Sequence, residues 1–267
     1  MALTVTVDYE IMELGDVELQ SGVILPGAFL AYKTYGTLRA DKSNAILYPT
    51  AFGDTHVQNE WLIGEGKALD PQHYFIIVPN LLGNGLSSSP SNTPSPWDRG
   101  NFPQVTIMNN VRLQHRLVTQ RFGISKLALV TGWSLGAMQT FQWAASYPDM
   151  VERIAPIAGT AKAWPHTYVF LEGVKAPLEA DAAWRSGHDR QTAEKALRAV
   201  GRVYAGWGFS QAFYREERYQ QLGYTLLDAF LSGFWDGNFA GRGLNPEDSQ
   251  FIDDELKRLL ACSVSAS

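Results

Sequence analysis

The stretch KLALVTGWSLGAMQTFQWAAS (126–146) constrains this chain more than any other. A short apolar run ends at Thr131, and Gly132-Trp133-Ser134-Leu135-Gly136 follows at once. A helical pattern then begins without an intervening loop. A strand that turns directly into a helix around one serine forces that serine into a strained backbone conformation. Side chains two residues to either side would collide across the turn, and glycines at 132 and 136 relieve the clash. The same turn sets Ser134 at a helix N-terminus, where backbone N–H groups and the helix dipole favour an anionic intermediate. Ser134 is therefore the candidate nucleophile. A backbone N–H donor for that anion is expected at Leu135, the next residue.

The rest of the chain fits around this element. Alternating apolar and polar residues at Leu3–Leu14 and Ala28–Tyr35 predict half-exposed antiparallel strands. Continuous apolar runs at Ala45–Thr50, Tyr74–Asn80, Lys126–Gly132 and Arg153–Gly159 predict strands buried on both faces of a parallel sheet. Helical spacing from Ile107 to Phe122 supplies a crossover, so the alternation predicts a doubly wound α/β sheet. Two segments interrupt it. Pro79–Gln104 is rich in Pro, Ser, Asn and Gly and reads as a binding rim or a mobile loop. From Pro165 to about Asp236 the pattern is helical and dense in aromatics, and it reads as an inserted cap in which most rings serve helix packing. Asn245 as N-cap, Pro246 at the first helical position and an apolar stripe through Leu260 predict a last helix. The expected division is a core over 1–164, a helical cap over 165–238, and a C-terminal helix over 239–267 that returns to the core.

Several blocks together resemble the homoserine O-acetyltransferase-like branch of the α/β-hydrolases. They are LAYKTYGTL (30–38), PTAFGDTH (49–56), ALDPQHYFIIVPNLLGNG (68–85), FPQVTIMNNVRLQHRLV (102–118) and GWSLGAMQTFQWAASYPDMVERIAPIAGTAK (132–162). The resemblance implies an acyl-enzyme at Ser134, formed from a small-molecule acyl donor and passed to an alcohol or to water. It implies a lid of helices and a homodimer through that lid. In this fold the second N–H donor of the oxyanion hole comes from the loop after an earlier strand, which here points to Phe52. Asp54 and His56, on the same loop, either touch substrate or order the loop.

Three departures qualify the resemblance. Trp133 precedes the serine and Ala137 follows Gly136 where family members have further glycines, and 83–91 reads GNGLSSSPS in place of a glycine–serine–threonine stretch. Both regions shape an acyl pocket, so hydrolysis or transfer of another acyl group is expected as readily as homoserine acetylation. The third departure concerns the acid and histidine that follow the serine in this fold. His166 and His188 are the histidines after Ser134, and both fall in the cap; Gly237-Asn238-Phe239 stands where the family has Gly-His-Phe. The C-terminal strands bearing the acid and base are thus expected to be missing. His166, near the cap hinge, either swings toward Ser134 as a base or, the commoner case, is a helix-start or surface residue. His188 reads as solvated in a polar turn, and Asp236 orients a base or, by preference, faces solvent. The expectation is an impaired acyltransferase or esterase; the alternative is a non-catalytic relative that binds a ligand or partner.

Composition narrows the remaining classes. The net charge is −5 with no run of Lys or Arg, which argues against nucleic acid or a membrane surface as partner. A single cysteine, Cys262, excludes an intrachain disulfide. Scattered histidines predict no metal site, and Gly83-Asn84-Gly85 lacks the third glycine of a dinucleotide loop, so no cofactor is expected. No secretory signal and no spanning apolar stretch are visible, and the expected location is cytoplasmic.

Overall fold

A computed structural model describes residues 8–182, 184 and 194–237. Six strands form one sheet: β1 (Glu10–Glu18), β2 (Ile24–Tyr35), β3 (Ala45–Leu47), β4 (Phe75–Pro79), β5 (Leu129–Trp133) and β6 (Ile154–Ile157), in the order β1-β2-β4-β3-β5-β6. β1 pairs antiparallel with β2 and β2 with β4, whereas β3, β4, β5 and β6 run parallel. The helices are α1 (His56–Asn59), α2 (Ile107–Arg116), α3 (Leu135–Ser146), α4 (Pro165–Glu179), α5 (Glu194–Gly208), α6 (Gln211–Arg215) and α7 (Leu227–Phe230). The chain divides into two compact units, Met1–Trp97 with Pro103–Lys162, and Asp98–Phe102 with Ala163–Ser267.

The first unit holds the whole sheet. Every residue of β3 and β4 is buried, as their unbroken apolar runs require when helices cover both faces. Ile46, Tyr48, Ile63, Leu69, Ile76 and Val78 form one contiguous part of that core. β1 is mostly exposed and buries Leu14 and Val17. It runs from Glu10 to Glu18, residues 3–7 of the expected strand lie outside the described residues, and β2 begins at Ile24. The alternation read from the sequence stops at Leu14 because the ladder slips on both sides of Gly15, whose φ of +67° breaks the two-residue period. α2 is fixed at its start by Thr106, whose hydroxyl accepts from Asn109 N–H at 3.1 Å while Asn109 Oδ1 accepts from Thr106 N–H at 2.9 Å. A wider π turn, Leu117–Arg121, completes the predicted helical stretch.

Of the two readings of the loop after β4, the structure speaks against the mobile one. Residues 79–97 are not a loose loop, because Ser87, Ser88 and Ser89 are buried, the first two bonded along β2 and Ser89 bonded to Ser87 O and Asn92 Oδ1 within the loop. Ser87 Oγ accepts from Ala31 N–H and Ser88 Oγ from Phe29 N–H, both at 2.9 Å, while Ser88 N–H donates to Phe29 O at 3.1 Å. The serines supply partners that a further strand would otherwise give to β2.

In the second unit the described residues are helices and turns, with no strand among them. Phe230 is fully buried, and the rings of Phe209, Phe213, Tyr219 and Phe234 lie within 6 Å of it. Packing thus accounts for most of the aromatics in the segment, as expected. Asp236 does not face solvent: it is 3% exposed and held by Arg202, Nε to Oδ1 at 3.1 Å and Nη2 to Oδ2 at 2.9 Å. A carboxylate that far from water needs such a forked partner. The predicted last helix, Cys262 and His188 lie outside the described residues. Among those described, no strand follows β6 and no helix is long and apolar enough to cross a membrane.

Candidate active site

Ser134 stands between the last residue of β5 and the first of α3, with φ 52° and ψ −115°. A non-glycine residue there stores ~1–3 kcal/mol of backbone strain, so its surroundings must hold it in place. They do so from both sides. Ser134 N–H donates to Ile157 O of β6 at 2.9 Å, and Ser134 O accepts from Ala137 N–H at 3.0 Å and Met138 N–H at 3.2 Å. The glycines are steric necessities. A Cβ on Gly132 would lie 2.3 Å from the carbonyl carbon and oxygen of Gly136, and one on Gly136 would lie 2.7 Å from Pro49 O. The second of these distances shows the loop after β3 pressed against the turn.

That loop carries Phe52, which is half-buried and precedes Gly53 at φ +68°. Leu135, buried, opens α3 and so contributes one of the N–H groups that a helix leaves unbonded at its start. Sequence reasoning named Ser134, Leu135 and Phe52, and the structure draws their segments together through the Gly136–Pro49 approach. Trp133 remains 43% exposed and meets Trp61, itself 54% exposed, edge-on at 6.0 Å. These rings form an apolar, water-facing wall next to the serine in sequence.

The histidines divide by environment. His56 is 2% exposed at the start of α1. Its N–H donates to Asn80 Oδ1 at 2.9 Å, and Asn84 Nδ2 donates to the same oxygen at 3.1 Å. Asn80 Nδ2 must then be the group 3.2 Å from His56 Nδ1, which makes Nδ1 an acceptor and leaves the proton on Nε2. Burial pushes the His56 pKa down. Asp54 O accepts from Asn84 Nδ2 at 3.1 Å, so the residues after Phe52 are bonded to the loop after β4. His56 and Asp54 thus order the loop. His166 is the second residue of α4 and its ring lies 4.7 Å from that of Trp207. Among the described residues, no imidazole is hydrogen-bonded to the Ser134 hydroxyl, and no cluster of three or more His, Cys, Asp and Glu could hold a metal ion.

Two features were missed in the sequence. Gly159, after β6, lets the chain pass where a Cβ would lie 2.5 Å from Ala137 Cβ and 2.6 Å from Ser134 O. No positive φ or turn motif marks it; its glycine at the end of the Arg153–Gly159 run was the available signal. Gln139, fully buried on α3, bonds Thr50 O at 3.0 Å and was hidden inside an ordinary helical pattern.

A parallel sheet with an antiparallel edge, a strained serine between strand and helix, and a donor-bearing loop packed on it define a class. The chain belongs to the alpha/beta hydrolase fold family, whose model matches residues 44–177. A probable esterase of Corynebacterium glutamicum is 43% identical over 237 residues, covering 86% of this chain and 67% of that protein. An ethyl acetate hydrolase of Pseudomonas veronii is 42% identical over 235 residues, covering 87% of this chain and 67% of that protein. The chain thus spans about two thirds of the length of these relatives. The crystal structure of the acetyl esterase MekB superposes with a TM-score of 0.89 at 39% identity, covering 96% of this chain and 74% of that one. Homoserine O-acetyltransferases also match, over a smaller share of their own length. Ester hydrolases and acyltransferases are therefore both among its relatives.

Proposed function

We propose that the protein cleaves small carboxylic esters through an acyl-enzyme at Ser134, with water as the acceptor. The observation that carries this is the backbone of Ser134, held at φ 52° between β5 and α3 by bonds to Ile157, Ala137 and Met138. Such strain persists where it exposes a reacting atom. In the step proposed, Ser134 Oγ attacks the ester carbonyl, its proton passes to solvent water, and water protonates the departing alkoxide oxygen as the C–O bond breaks. The oxyanion accepts from Leu135 N–H and Phe52 N–H, and the alcohol departs to leave an acyl-serine that water cleaves. Small acyl and alcohol groups are favoured by the names of the similar proteins, an ethyl acetate hydrolase and an acetyl esterase.

Turnover by this 267-residue chain is proposed to be slow. His166 and His188 are the histidines after Ser134, and the ring of His166 is engaged with Trp207 in the second unit. Without a base the serine is a weak nucleophile, and a site lacking a triad member retains ~10³–10⁴-fold catalysis over water from its remaining groups. The protein is proposed to act without cofactor or metal, on small molecules and not on nucleic acid or membranes, in the cytoplasm, with a second copy meeting it through the helical unit. Intact-mass spectrometry after mixing with p-nitrophenyl acetate tests the reaction: an added acetyl group on native protein, absent from Ser134→Ala, is expected. Acetate release by native protein no faster than by Ser134→Ala, with no acetyl adduct, would overturn it and favour the non-catalytic binding reading.

A further inference from the structure

Behind the elbow, four residues are wholly buried and linked by polar groups: Trp143 and Gln139 on α3, Gln114 on α2, and Thr50 on the loop that leads to Phe52. The indole N–H of Trp143 can donate and cannot accept, and it donates to Gln114 Oε1 at 2.8 Å. This settles which end of the Gln114 carboxamide is oxygen. Its Nε2 faces the other way and donates to Gln139 Oε1 at 2.6 Å. Gln139 Nε2 is then left facing two backbone carbonyls, Thr50 O at 3.0 Å and Leu135 O at 3.4 Å. The relay runs in one sense, from an indole at one end to a loop carbonyl at the other. Reversing any amide would set oxygen against oxygen.

The two carbonyls bridged by Gln139 belong to the segments bearing the two proposed oxyanion donors. One is the carbonyl of Leu135 itself; the other lies two residues before Phe52. The Thr50 bond is the shorter and carries most of the constraint. Thr50 is tied on its other side too, its Oγ1 accepting from Leu81 N–H at 3.2 Å. A fully satisfied amide chain in a core contributes orientation more than net stability, since apolar groups of the same shape fill such space at no greater cost.

We propose that Gln139, oriented by Gln114 and Trp143, is a positioning residue that holds the Phe52 segment in register with the elbow, so that the N–H groups of Phe52 and Leu135 converge on one oxygen. The proposal rests on the acyl-enzyme reading for its catalytic consequence. Its structural half, the placement of Phe52, stands apart from that reading and is measured separately.

The test compares native protein with Gln139→Met, Trp143→Phe and Ile76→Val, the last a mild core cavity on β4 away from the relay. Acylation by p-nitrophenyl acetate is followed under single-turnover conditions, and the backbone amide resonances of Phe52 and Leu135 are recorded by NMR. Gln139→Met is expected to slow acylation on the order of 100-fold, the effect of losing an oxyanion donor, with substrate affinity within about threefold. It should also move the Phe52 amide resonance and speed its hydrogen exchange while β4 amides stay as they were. Trp143→Phe should fall between, and Ile76→Val should match native in both readouts. A Gln139→Met protein with the Phe52 resonance unmoved overturns the proposal. Native protein that never acylates refutes the acyl-enzyme reading instead, and the Phe52 resonance then decides the relay alone.

Discussion

Gly132→Ala probes the elbow with the least change in chemistry. The added methyl carbon would lie 2.3 Å from both the carbonyl carbon and the oxygen of Gly136, whereas ordinary contact begins at 3.4 Å. The turn would have to open by roughly 1 Å. Both sides of the clash are backbone, so no rotamer change absorbs it. The backbone that must move also carries the Ser134 bonds to Ile157, Ala137 and Met138. Overpacking of a rigid core costs ~1–3 kcal/mol, and this site belongs at the upper end. For a chain of this size ~3 kcal/mol lowers the melting temperature by roughly 6–12 °C. The matched control is Gly206→Ala on α5, where the new Cβ meets nothing within 4 Å. There the helix should gain ~0.5–1 kcal/mol. Calorimetry of the three proteins reads both effects. Gly132→Ala melting within about 2 °C of native would refute the steric account of the turn.

Stability should also fall as the solution is acidified from pH 7.5 to 5.5. Burial lowers the pKa of His56 and of His115, so the folded state keeps both rings neutral at a pH where the unfolded chain takes up protons. Their contribution is full above the ordinary histidine pKa and is lost as pH drops through it; a urea midpoint that is flat or rises on acidification contradicts this. In the helical unit, the side chain of Asp236 is 4% exposed and that of Arg202 58%, so the two truncations are unequal. Arg202→Met leaves a buried carboxylate alone and should cost about 2 kcal/mol, while Asp236→Asn in the same background should recover at least half. Equal melting temperatures for Arg202→Met and native protein would show that the pair does not hold the unit together.

Much of the first unit was legible because its signals are local. The runs at Ala45–Thr50 and Tyr74–Asn80 became β3 and β4, since a strand buried on both faces has no position for a polar residue. The run at Arg153–Gly159 became β6, but β6 is not buried on both faces as expected, with Ile154 exposed. The elbow was legible because its glycines sit two residues from the serine. What escaped was long-range. Ser87 and Ser88 read as loop residues, and their bonds go to Ala31 and Phe29, more than fifty residues away. Asp236 sits beside a glycine and looked solvent-facing, but its partner Arg202 is 34 residues earlier. Gln114 and Gln139 fall within helical periodicity, where a glutamine is as natural on a wet face as in a core. Pairing between distant polar groups leaves no period in the chain, so it appears only once the elements pack.

Reaction of the purified protein with a fluorophosphonate probe, beside Ser134→Ala, tests the central claim that Ser134 is a nucleophile. Slow labelling of native protein that maps to Ser134 and vanishes in the variant is the predicted result. Folded native protein that takes up no probe would contradict it, leaving the elbow as a structural feature of a site that binds and does not react.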